Sequence, residues 1–364
     1  MKIAFYGSSL LSSYWNGAAT YYRGLLRALA GLGYDITFYE PNVYDRQANR
    51  DIDPPDWCRV VIYDGTIEAV KAIALEAARA DIVVKASGVG FEDDALLDAV
   101  LIAARPQALK VFWDVDAPAT LAELRERSDH PLHRALKRID LVLTYGGGAP
   151  VVEAYREMGA PDCIPIYNAL DPETHHPVRA DARFSADLAF LGNRLPDREE
   201  RVDSFFFEPA AHLPRLSFLL GGSGWADKPM PGNIHYVGHV PTRDHNAFNV
   251  SPRAVLNISR ASMALNGFSP ATRVFEAAGA GACLITDAWI GLEQFLAEGE
   301  EVLVARDGKD VAALLQELTD ARARQIGQNA LRRVLRDHTY AQRAAETDRI
   351  FRRFVRTPAV EAAE

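Results

Sequence analysis

The sequence predicts an α/β protein of two Rossmann-like domains, each built on a parallel sheet and facing a central cleft. Three observations carry this. Short runs rich in Val, Ile, Leu and Phe alternate with longer amphipathic stretches along most of the chain, as in repeated β–α units. The alternation occurs twice, on either side of a stretch without periodicity. The chain has 364 residues, 48% hydrophobic and 24% charged, enough for two globular cores.

In the first half the strand candidates are Lys2–Tyr6, Asp35–Tyr39, Arg59–Tyr63, Asp81–Lys85, Leu109–Trp113 and Asp140–Thr144, with helices centred near residues 26, 72, 98, 123 and 153. The second half offers Asp187–Leu191, Leu216–Leu220, Ile234–Val237, Ala254–Ile258, Ala282–Thr286 and Glu301–Val304. Its last helices run through Val311–Leu318, Ala321–Leu335 and Thr339–Phe354. Between the halves, Tyr167–Ala186 mixes prolines, histidines and acids and reads as a linker. The predicted division is 1–170, 171–338, and a crossover helix with a frayed tail over 339–364, the tail being Thr357–Glu364.

Composition excludes several classes. A net charge of −9 argues against a general nucleic-acid or anionic-membrane surface. No run of eighteen apolar residues is present, so no transmembrane segment is expected. Cys58, Cys163 and Cys283 lie far apart with no CxxC pair and read as reduced, buried thiols of a cytosolic protein. The nine histidines form no zinc set, and His130/His133, His175/His176 and His235/His239 are isolated pairs without partners at ligand spacing, so no metal site and no cofactor are expected. No GxSxG, HExxH or GxxxxGK[ST] motif occurs.

The richest segment is Asn266-Gly-Phe-Ser-Pro-Ala-Thr-Arg-Val-Phe-Glu276. Ser269 suits an N-cap and Pro270 the first helical position, where no N–H is needed. The N–H groups just inside such an end attract anions. Arg273 and Glu276 fall on one face, and Pro270 and Glu276 are about 9 Å apart along the axis, roughly a diphosphate-to-ribose span. A carboxylate there can accept both ribose hydroxyls while the guanidinium forks onto phosphate oxygens. Both side chains are expected to face solvent. The plainer reading is a βαβ crossover helix with a surface ion pair.

Set against these residues, the chain resembles the GT-B superfamily of nucleotide-sugar glycosyltransferases, and within it the CgeB-like, spore-protein-type group. Asp187-Leu-Ala-Phe-Leu-Gly-Asn193 looks like the first donor-domain strand and loop. Asn233-Ile-His-Tyr-Val-Gly-His-Val-Pro241 resembles the strand and loop that frame the base, which brings His239 and Val240 to the site. Leu256-Asn-Ile-Ser-Arg260 and Ser269-Pro…Arg273…Phe-Glu276 match the core signature. Trp113-Asp-Val-Asp-Ala-Pro118 looks like the group's W-x-x-D-x-P loop. Asn266-Gly-Phe-Ser269, with Gly267 and Phe268, is similar to the first part of an E-G-F-G…E-A arrangement, but Asn266 replaces the first Glu and stands ten residues before Glu276 instead of eight. The carboxylate that contacts the donor sugar in many retaining relatives is therefore not matched.

The resemblance implies further contacts. Asn16-Gly17-Ala18 takes the place of the Gly-rich turn that faces the donor phosphates, though a plain β–α turn capped by Asn16 explains it equally. Tyr14 and Trp15 read as an acceptor platform or a staple of the helix entrance. Asn193, Arg194 and Arg198 lie where related enzymes place a basic group against the leaving diphosphate, or else on a solvated helix face. Gly222 and Trp225, in Gly221-Gly-Ser-Gly-Trp225, form a turn that could wall the site. Asp116 first and Asp114 second are candidates for a general base on an acceptor hydroxyl. The D-x-D triplet also allows a metal reading and Asp116 a helix-cap reading.

The function implied is transfer of a sugar from a nucleotide-diphosphate donor, UDP-linked, to the hydroxyl of a glycan, small molecule or protein, without metal. Two alternatives stand beside it: a nucleotide-sugar epimerase on the same fold, and an inactive surface- or spore-associated scaffold.

Overall fold

The computed structural model describes residues 1–14, 16–196 and 198–355, the side chain of Ser262 aside. Trp15 and the expected tail Thr357–Glu364 lie outside the described residues. The chain divides into two compact units: residues 1–167 with the C-terminal helix Tyr340–Phe354, and residues 168–339. The first boundary thus falls within the expected linker and three residues before the predicted division at 170, with Asn168, Ala169 and Leu170 buried within the second unit.

The first unit is built on a seven-stranded sheet: β1 (Lys2–Tyr6), β2 (Asp35–Asn42), β3 (Arg59–Asp64), β4 (Ile82–Ala86), β5 (Leu109–Asp114), β6 (Leu141–Thr144) and β7 (Cys163–Pro165). Its order is β3-β2-β1-β4-β5-β6-β7, and every pairing is parallel. β4 and β6 are buried throughout, as a central strand covered on both faces must be. The sequence reading misses only β7, three residues too short to show a period. Helix Tyr340–Phe354 lies on helix Ala18–Gly31 so closely that a Cβ on Gly24 would come 2.1 Å from Tyr340 Cδ2. Phe351 meets Trp113 edge-on, and the Tyr34 hydroxyl donates to Asp348 at 2.8 Å.

The second unit has a six-stranded sheet: β8 (Leu188–Leu191), β9 (Phe218–Gly221), β10 (Ile234–Gly238), β11 (Ala254–Asn257), β12 (Leu284–Asp287) and β13 (Leu303–Ala305). The order is β10-β9-β8-β11-β12-β13, again all parallel. Its core gathers Phe190, Phe206, Phe218, Trp225, Ile285 and Ile326. The chain enters and leaves this unit side by side, where Leu170 N–H donates to the His338 carbonyl at 2.8 Å.

Strand order reverses between β1 and β4 in one sheet and between β8 and β11 in the other. Open parallel sheets bind ligands outside the carboxyl ends of their strands at such reversals. Among the described residues no helix is long and apolar enough to cross a membrane. Cys58, Cys163 and Cys283 are free and buried, and desolvation pushes each thiol up to about 12.

Candidate functional site

In the second unit the segment after β11 forms a short helix, Ala261–Asn266, then a tight turn, then helix Thr272–Ala280. The turn is specified by sterics. Gly267 has φ +68°, and a Cβ there would stand 2.7 Å from the Ile290 carbonyl oxygen. Phe268 holds a left-handed φ of 48° with its N–H donating to the same carbonyl at 2.6 Å. A left-handed Phe is costly, and such strain gathers at functional loops.

The helix begins later than the sequence implied. Ser269 is not its cap: its hydroxyl is buried and donates to the Gly267 carbonyl at 2.9 Å, closing the turn. Pro270 precedes the helix, and its carbonyl accepts from Asn168 Nδ2 at 3.1 Å. Ala271 holds the cap position without a side-chain capping bond. Small residues behind this end allow close packing. A Cβ on Gly279 would lie 2.2 Å from Leu170 Cδ1, and one on Gly327 would lie 2.1 Å from the Gly281 carbonyl oxygen.

Arg273 and Glu276 do share a face, but they are not the solvent-facing pair expected. Their side chains are 17% and 14% exposed and approach at 3.9 Å. The linker and helix His245–Val250 cover them, contributing His175, His245 and Asn249. Arg273 donates to Asn249 Oδ1 at 3.3 Å. Burial lowers the Arg273 pKa, with Glu276 opposing. Burial alone would raise the Glu276 pKa, but His175, Arg273 and His245 together with a bond from Thr272 bring it below the ordinary carboxylate value. Burial, then Arg273, depresses His245 to about 4, so it is neutral near pH 7.

Polar atoms around this helix end are left without partners: Asn168 Oδ1, His175 Nε2 and Asn249 Nδ2 are all buried and unbonded. Buried polar groups are rarely orphaned in a folded chain, and each is costly. With the Arg273 guanidinium they form a mixed polar cluster whose hydrogen-bonding capacity the protein itself leaves unfilled. Sequence reading found Arg273 and Glu276; it missed His175, His245, Asn168 and Asn249, which only the fold brings to them.

The loops after β8 and β9 are stitched together. Ser223 N–H donates to Asn193 Oδ1 at 2.9 Å, and a Cβ on Gly222 (φ +117°) would lie 2.2 Å from the Gly192 carbonyl oxygen. Trp225 is not a wall of an open site: it is fully buried in the core and donates from Nε1 to the Gly192 carbonyl at 2.7 Å. Arg194 is held by Glu199 at 2.7 Å and Asp227 at 3.0 Å, which commits it to a surface network. Arg198 lies over the Phe190 ring and donates to the Asn193 carbonyl, at the β8–β11 reversal. His239 is exposed. Val240 is buried and offers its carbonyl to His245 Nε2 at 3.2 Å. Asn266 ends its helix, partly buried.

In the first unit, Asn16 knits the loop after β1 to itself. Its Nδ2 donates to the Ser9 and Ser12 carbonyls, and its Oδ1 accepts from Ser8 Oγ. Gly17, not Asn16, stands at the N-cap of helix Ala18–Gly31, with an ordinary φ of −61°. A Cβ there would meet nothing within 4 Å, so the chain's own packing does not require glycine. Tyr14 is exposed.

The two aspartates after β5 differ sharply. Asp114 is fully buried and accepts from Ser87 Oγ (2.7 Å), Tyr155 OH (2.5 Å), Asp116 N–H (3.0 Å) and Thr120 Oγ1 (3.1 Å). Burial raises its pKa while these bonds oppose. It is placed to shape the loop and not to meet an acceptor. Asp116 is partly exposed at the N-cap of helix Ala117–Glu126, yet its side chain makes no capping bond. The helix-cap explanation for Asp116 is therefore not what the geometry shows.

Two all-parallel Rossmann-like units of this order constitute the GT-B architecture. Residues 198–348, which include the Arg273–Glu276 helix, match the family described as glycosyl transferase-like. No curated protein matches the chain in sequence. Among solved structures it is similar to Anabaena HepE in complex with UDP and glucose (12% identity, 97% of this chain and 100% of that one, TM-score 0.68). It is also similar to sucrose-phosphate synthase from Thermosynechococcus elongatus (15%, 97% and 98%, 0.68). A third likeness is to an alpha-glucosyltransferase in complex with UDP-glucose and DNA containing an abasic site (12%, 97% and 99%, 0.72). At these identities the likeness establishes the fold. The CgeB-like group is not distinguished by any of them.

Proposed function

We propose that this protein is a glycosyltransferase that takes a sugar from a nucleoside-diphosphate donor, UDP-linked, and transfers it to an acceptor hydroxyl without a metal ion. The observation that carries this reading is the Thr272–Ala280 helix end, where a buried guanidinium and a carboxylate one turn on stand in the matched family segment, beside the orphaned Nδ2 of Asn249. Arg273 would take phosphate oxygens and Glu276 the ribose hydroxyls. The UDP and UDP-glucose complexes of the similar structures support the donor class.

Charge develops on the diphosphate as the glycosidic bond breaks, and fixed donors aimed at it lower the barrier. Arg273 and the uncapped helix end would supply them, with Arg198 a further candidate. In the first unit, Gly17 leaves room before a helix N-terminus for close approach of a sugar or phosphate. Asp116, held in place through Asp114, would remove the acceptor proton. A thermal-shift panel of nucleotides and nucleotide sugars tests the reading. UDP and UDP-sugars at about 100 times Kd should stabilise the fold by about 2.7 kcal/mol, and absence of any shift across the panel would refute it.

A further inference from the structure

Three side chains that the sequence scatters meet over the Thr272–Ala280 helix: His175 from the linker, His245 from the start of helix His245–Val250, and Glu276. Each offers one ligand atom, and these atoms lie within 4.8 Å of one another. The two imidazoles are tilted by 32° with centroids 6.4 Å apart. We infer that His175, His245 and Glu276 form a site for a zinc-like divalent transition metal, and that the metal, when bound, excludes the nucleotide donor by occupying Glu276. The exclusion rests on the donor-site reading above; the metal site does not.

The chemistry of the set is specific. Two imidazoles and one carboxylate, with a fourth position open, suit zinc and similar ions and not magnesium or calcium, which want more oxygen ligands. The ring nitrogens are already sorted. His245 Nε2 contacts the Val240 carbonyl at 3.2 Å, which leaves Nδ1 for a metal. His175 Nδ1 contacts Thr174 Oγ1 at 3.0 Å, which leaves Nε2. That His175 Nε2 is buried without a hydrogen-bond partner, on a side chain only 5% exposed. Backbone and hydroxyl partners that orient a ligating histidine through its other nitrogen are the usual support of a metal site, and Thr272 supports Glu276 in the same way.

Tetrahedral zinc with bonds of about 2.0–2.1 Å needs ligand atoms about 3.4 Å apart, so the three must draw together by no more than about 1.4 Å at any pair. Arg273, 3.9 Å from Glu276, opposes a second cation and keeps the affinity modest. A carboxylate bound to a metal can no longer accept two ribose hydroxyls, so metal and donor compete for one group.

Calorimetric titration of the EDTA-treated, dialysed full chain with Zn²⁺ tests this. One equivalent should bind, and His175→Ala, His245→Ala and Glu276→Gln should each weaken binding by about tenfold or more. His176→Ala, at the exposed neighbouring histidine, should leave it unchanged. Co²⁺ should give the visible absorption of a tetrahedral site, lost in Glu276→Gln, a shape-conserving variant whose metal-free melting curve reports folding. Zinc binding indifferent to His175→Ala and Glu276→Gln would overturn the metal site. UDP affinity should fall about tenfold or more in the zinc-saturated protein and should not respond to zinc in His175→Ala. UDP affinity equal with and without zinc would overturn the exclusion. A metal-free protein that binds no UDP would instead refute the donor reading, leaving the zinc titration to decide the site.

Discussion

Arg273 Nη2 stands 3.9 Å from Glu276 Oε2, one helical turn away, and both side chains are more than four-fifths buried. A buried guanidinium with so loose a counter-charge is electrostatically incomplete, and an anionic ligand would complete it. On the donor-site reading, stability and nucleotide binding would therefore be coupled at this pair.

That coupling reverses the expectation for an exposed pair. Glu276→Ala leaves Arg273 buried without its carboxylate, so the ligand-free protein should lose about 1–3 kcal/mol. Glu276→Gln, which keeps the shape and can still accept from Thr272, should cost less. Thermal denaturation without nucleotide checks both, and an unchanged melting temperature for Glu276→Ala would show that the pair is solvated.

Two glycines in helix Ala18–Gly31 and its cap should behave oppositely. At Gly24 a methyl would collide with the Tyr340 ring, so Gly24→Ala should destabilise by about 1–3 kcal/mol. At Gly17 the added methyl meets no atom of the protein. Gly17→Ala should keep stability within about 1 kcal/mol while reducing turnover strongly, on the reading that this turn meets a sugar or phosphate. Unimpaired turnover in Gly17→Ala would remove this turn from the site.

Asp116 is the partly exposed one of the two aspartates after β5, and its carboxylate makes no capping bond. Asp116→Asn should lower kcat by at least about a hundredfold with donor affinity and melting temperature nearly intact. Asp114→Asn should instead destabilise the fold, since it disturbs a carboxylate bound by Ser87, Thr120, Tyr155 and the Asp116 backbone. Full turnover in Asp116→Asn would place the base elsewhere.

The fold was largely legible in the sequence, because parallel strands covered on both faces read as unbroken apolar runs; all six expected strands of each half are present, and β7 alone was missed. The site was legible where it is local. Arg273 and Glu276 show their common face through a spacing of three. What failed was everything set by tertiary packing. Ser269 has the chemistry of a cap but closes a turn instead, Trp225 is buried in the core, and Arg194 is taken by Glu199 and Asp227. His175 and His245 sit far from Glu276 along the chain, so no spacing rule could place them beside it.

Metal independence is a separate expectation. The diphosphate would be met by Arg273 and a helix end, and Asp114, the first acid of the D-x-D triplet, is wholly occupied by protein donors. Turnover should therefore survive excess EDTA. Loss of turnover with EDTA and rescue by Mg²⁺ or Mn²⁺ would contradict it.

The most direct test of the account is calorimetric titration of UDP into the wild-type protein, Arg273→Ala and Glu276→Gln. Binding to the wild type should weaken in each variant by about 1.5–3 kcal/mol, the range for charge-assisted hydrogen bonds. UDP affinity unaltered in both variants would contradict the assignment of this helix end as the donor site.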